Sequence, residues 1–80
     1  MSHDAPWVAI VLDVPAEMED DLAADLGEGS LGVEVVSAGA GTVRLDVFLP
    51  AKDDVGSRLA AAASVLRARG LEPEACGLRA

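Results

Sequence analysis

The stretch that most constrains this chain is Thr42–Leu49, TVRLDVFL. Val43, Leu45, Val47 and Leu49 fall on one side, and Arg44, Asp46 and Phe48 on the other. Alternation of this kind is the period of a half-buried strand, since successive side chains of a strand point to opposite faces. Pro50 closes the run, because proline cannot donate to a sheet ladder. Just upstream, Ala38-Gly39-Ala40-Gly41 is a turn signal, and Gly32–Ser37 is a further apolar run. Residues 32–49 therefore read as a β-hairpin, and the rest of the chain must supply what covers its apolar face.

Trp7–Val14, WVAIVLDV, is the second strand, apolar enough on both sides to sit inside a sheet. Ala16–Leu26 reads as a helix. Glu17, Glu19, Asp20 and Asp21 crowd its first turns, where the helix dipole favours negative charge. Met18, Leu22 and Leu26 make its core-facing stripe, and Gly27 stops it. Val55–Arg69 is a second helix with Asp53 or Asp54 as its cap, a stripe of Val55, Leu59, Ala62, Ala63 and Leu66, and Gly70 just beyond its end. Ala75–Arg79 fits a short final edge strand. The order β-α-β-β-α, with a possible last β, predicts a ferredoxin-like α+β sandwich. In it an antiparallel sheet carries two helices on one face and leaves the other open. Residues 1–6 are expected to be a flexible tail, and 7–80 a single domain.

Composition narrows the partner. Eighty residues bury roughly 60% of the surface that the unfolded chain exposes, so the core is thin. The net charge of −8 repels phosphate backbones and favours a basic protein over nucleic acid. No apolar run has the length of a membrane span, and a lone cysteine, Cys76, excludes an internal disulfide. A cytoplasmic location follows as the expectation.

Motifs for chemistry are weak. Gly27, Gly29 and Gly32 spell GxGxxG, but a phosphate-cradling loop must follow a strand and open a helix. Here it follows a helix and opens a strand, so a helix stop and a turn explain it. The acids of the first helix lack calcium-loop spacing and read as a solvated face. Ser30, Ser37, Ser57, Ser64 and Cys76 have no His in the folded part to activate them, since His3 lies in the tail. No catalytic, cofactor-binding or metal-ligating residue is assigned.

The open sheet face carries more. By parity it displays Trp7, Ala9 and Val11, with Val36 and Phe48 across from them and Asp13, Glu34, Arg44 and Asp46 around them. An apolar patch with a polar margin marks a contact surface. The expected partner-binding set is Trp7, Val11, Val36, Arg44, Asp46 and Phe48.

The run WVAIVLDV from Trp7, then PAEMEDDL from Pro15 to Leu22, then LGEGSLGVE from Leu26 to Glu34, followed by the Thr42–Pro50 strand and its helix, resembles the N-terminal domain of bacterial ribosomal protein L-eleven methyltransferases. In that family a small ferredoxin-like domain grips a basic ribosomal protein. A separate Rossmann-like domain binds S-adenosylmethionine and methylates lysine side chains and the N-terminal amine. The resemblance thus implies a substrate-recognition domain that is not catalytic by itself, working with a catalytic domain that these residues do not contain. Two other readings share the element order or the open face. One is a small-molecule regulatory domain of the ACT type, although Asp13-Val14-Pro15 lacks the glycine expected of its ligand loop. The other is a homo-oligomer paired through the open face.

Overall fold

A computed structural model describes residues 7–80; the expected tail, Met1–Pro6 with His3, lies outside the described residues. The elements are β1 (Trp7–Pro15), a 3-10 turn (Ala16–Met18), α1 (Glu19–Gly27), β2 (Gly32–Gly39), β3 (Thr42–Pro50) and α2 (Val55–Ala68). The strands form one sheet in the order β1-β3-β2, antiparallel throughout. This is a ferredoxin-like α+β arrangement.

The central strand is β3, and its alternation becomes burial. Val43, Leu45, Val47 and Leu49 are all buried, opposite Val14, Leu12, Ile10 and Val8 of β1. Leu22 and Leu26 of α1 and Ala62 and Leu66 of α2 close on the same cluster, so both helices lie on one flank. Each fully buried leucine is worth about 1.5–3 kcal/mol relative to exposure, and these few side chains hold most of the fold. Met18, Val33, Leu59 and Val65 pack around the margin.

Helix ends follow local chemistry. The first helical stretch is divided: Ala16–Met18 winds as a 3-10 turn and the α-helix begins at Glu19, not Ala16. Pro15 belongs to β1, paired with Thr42, and the Ala16 amide donates to the Gly41 carbonyl at 2.9 Å. That tether holds the chain to the sheet for one more residue and tightens its first turn. At α2 the cap is Asp54, whose carboxylate accepts from the Gly56 amide at 3.1 Å and the Ser57 hydroxyl at 2.8 Å. The end of α2 is a Schellman motif. Gly70 takes φ 77°, its amide donates to the Arg67 carbonyl, and the Leu71 amide reaches back to Leu66 at 2.9 Å.

Local backbone geometry requires glycine at Gly29, which takes φ 75° in the left-handed region. Gly27 ends α1 where a Cβ would meet Val33 Cγ2 at 2.9 Å, so a side chain there would force Val33 or the helix to shift. The expected final strand over Ala75–Arg79 does not form. Pro73–Gly77 turns instead, and only Arg79 bridges to Val11 on the outer edge of β1. Pro73 lacks an amide for a ladder, and Gly77 adopts φ 63°, which turns the chain instead of extending it.

Candidate functional site: the open sheet face

Register decides which side chains share the uncovered face. Across β1 and β3 the pairs are Ala9 with Phe48, Val11 with Asp46, and Asp13 with Arg44. Across β3 and β2 they are Phe48 with Gly32, Asp46 with Glu34, and Arg44 with Val36. The expected set of Trp7, Val11, Val36, Arg44, Asp46 and Phe48 thus lies together on the face that no helix covers.

The face has an aromatic end and a charged end. Trp7 is 44% exposed and meets the Phe48 ring edge to face, with centroids 5.1 Å apart and planes at 86°. Gly32, opposite Phe48, contributes no side chain to shade the ring. The two rings hold each other in place while both stay accessible from outside. Toward the middle of the strands, the Arg44 guanidinium binds Asp46 along β3, Nε to Oδ1 at 2.9 Å and Nη2 to Oδ2 at 3.3 Å. Glu34 stands across from Asp46, and like charges directly opposite are unfavourable. Arg44 offsets one of these carboxylates; among the described residues Glu34 has no ion-pair partner.

The helical flank is held by two arginine clamps that the sequence pattern did not single out. Arg69, just past α2, binds Asp21 at 2.8 Å and also Asp25, both on α1. The readable signal is the spacing of Asp21 and Asp25, four apart on one helix face. This pairing holds the Asp21 carboxyl below its usual range, chiefly through the hydrogen bond from Arg69 and then its charge. Arg58 of α2 binds Asp53 at 3.1 Å and donates to the Gly29 carbonyl at 2.7 Å, which fixes the loop ahead of β2. Between the helices lies a small apolar cleft floored by Ile10, Leu12, Val47 and Leu49.

Cys76 is buried, 5% exposed, and burial pushes its thiol pKa up, with Asp13 and Glu72 adding to the effect. Among the described residues, no group of three or more His, Cys, Asp or Glu side chains is placed to hold a metal ion. No described helix is long and apolar enough to cross a membrane.

The chain matches no protein-family model, no curated protein and no solved structure. The site must therefore be read from its own geometry. That geometry is a surface with an apolar, aromatic end and a charged, mostly acidic end.

Proposed function

We propose that this chain is a protein-recognition domain that grips a basic protein through its open sheet face. The finer reading, carried by the resemblance of the Trp7–Glu34 run, is the substrate-recognition part of a cytoplasmic ribosomal-protein lysine methyltransferase. On that reading the partner is a basic ribosomal protein, and S-adenosylmethionine and methyl transfer belong to a separate catalytic domain. This chain contributes grip and orientation only.

The observation that supports the reading is the Trp7–Phe48 pair on the uncovered face. Aromatic side chains with a polar margin are the usual anchors of protein interfaces. The −8 charge suits a basic partner and steers it by long-range attraction. The ACT-type alternative loses ground, since Pro15 is still paired in β1 and the 3-10 turn begins at once, leaving no ligand loop between strand and helix. The test is capture of purified ribosomal protein L-eleven by the folded domain at low salt, with an acidic protein as control. Binding that weakens with salt and with Trp7→Asp supports the reading; no capture at low salt contradicts it.

A further inference from the structure

The two edges of the sheet are treated differently. The outer edge of β1 is closed by the chain's own end. The Val11 amide donates to the Arg79 carbonyl at 2.7 Å and the Arg79 amide returns to Val11 at 3.0 Å, while the Asp13 amide donates to Cys76 at 2.8 Å. Among the described residues, no strand lies against the outer edge of β2.

Exposed edges are normally blunted by proline, lysine, bulges or short length, because their unpaired amides and carbonyls template a further strand. β2 has little of this protection. It runs eight residues, GVEVVSAG, with no proline and no lysine. Its one irregularity lies between Ser37 and Gly39, next to the turn. Val35 pairs with Leu45 on the helix-facing side, yet it is 41% exposed, and Leu31 just ahead of the strand is 60% exposed. A shallow groove lined by Ala23, Ala24, Asp25, Glu28, Leu31 and Val33, part apolar and part acidic, lies between α1 and the start of this edge. The strand itself is acidic: Glu34 is exposed on the open face and β2 has no cation, while on the preceding loop the exposed Glu28 stands beside Arg58, which donates to the Gly29 carbonyl.

We propose that β2 accepts an extended basic segment of the partner as an added strand. The inference rests on the reading that the partner is a basic protein, and it specifies the segment. Pairing through backbone hydrogen bonds supplies the attachment, and alternate side chains supply selection. On the open face the added strand carries a lysine or arginine beside Glu34. On the helix side its apolar residues lie beside Val33 and Val35. The required pattern is apolar and basic in alternation. A second copy of β2 is a poor occupant, because it brings another Glu34 and another net charge of −8 to the same edge.

The probe is a capped peptide alternating valine and lysine, mixed with the isotope-labelled domain and followed by amide NMR. Shifts and slowed hydrogen exchange concentrated on residues 31–37 are expected. A peptide with alternate backbone amides N-methylated, and the domain variant Glu34→Lys, are each expected to bind at least about tenfold more weakly. Circular dichroism of Glu34→Lys confirms that the exposed substitution leaves the fold intact. Equal binding of the N-methylated peptide overturns the proposal. So do shifts confined to the Trp7–Phe48 face, an absence of binding, or a free domain that sediments as a dimer with β2 amides already protected. Capture of the ribosomal protein that depends on Trp7 but leaves β2 unperturbed refutes the added strand and spares the recognition reading. Strand addition by the peptide, with no capture of the ribosomal protein, does the reverse.

Discussion

Trp7 and Phe48 come from strands that meet only through the β1–β3 pairing, and their rings pack edge to face at 5.1 Å on the side no helix covers. Phe48 sits opposite Ala9, two residues from Trp7, so the contact is diagonal across the ladder. The only two aromatic rings of the chain are thus spent outside its core.

A double-mutant cycle on Trp7→Ala and Phe48→Ala should give a coupling of about 0.5–1.5 kcal/mol, the range for aromatic pairs of this geometry. Urea denaturation of the four proteins measures it. The single changes should destabilise modestly, because Trp7 is already nearly half exposed.

Core truncation should behave very differently. Leu45 is fully buried at the centre of β3, and Leu45→Ala is expected to cost about 2–5 kcal/mol. That is a large share of the stability of about 5–15 kcal/mol usual for a domain. Val35→Ala, on the exposed edge, should leave the urea midpoint nearly unchanged.

Arg69→Gln removes the clamp between α1 and α2. Because Arg69 depresses the Asp21 carboxyl, its contribution is present above the ordinary carboxylate pKa and disappears as pH falls through the lower folded value. Thermal melts should therefore show wild type above the variant at neutral pH. The gap should close in strong acid and shrink in high salt, as expected for exposed charges.

Cys76 should resist alkylation in the native state at neutral pH, since its thiol is buried and its ionisation is disfavoured by burial and by Asp13 and Glu72. Asp13→Asn should speed labelling by removing one of those charges. Loosening the C-terminal segment by deleting Leu78–Ala80, which takes away the Arg79 bridge, should speed it further.

Most of the fold was legible because its strands alternate cleanly. Val43, Leu45, Val47 and Leu49 announced their buried side, and with parity that placed Trp7, Val11, Val36, Arg44, Asp46 and Phe48 together on the other. The Asp53-Asp54 pair and Gly70 announced the ends of α2 through capping chemistry, and Asp54 is the one of the pair that caps. The final segment was misread, because Ala75–Arg79 has no local pattern and its one bridge depends on tertiary position. The 3-10 turn was hidden because the Ala16–Gly41 tether joins residues far apart in sequence. Arg58 and Arg69 escaped for the same reason: their partners Gly29, Asp21 and Asp25 lie 29 to 48 positions away. The unguarded edge of β2 could be seen only once the strand order was known.

The most direct test uses Trp7, the only tryptophan of the chain, as reporter of its own surface. Titrating the domain with ribosomal protein L-eleven, which must be a tryptophan-free preparation, should shift the Trp7 emission to shorter wavelength and protect it from a soluble quencher. Saturable binding that leaves Trp7 emission and quenching unchanged would place the partner elsewhere and contradict recognition by the open face.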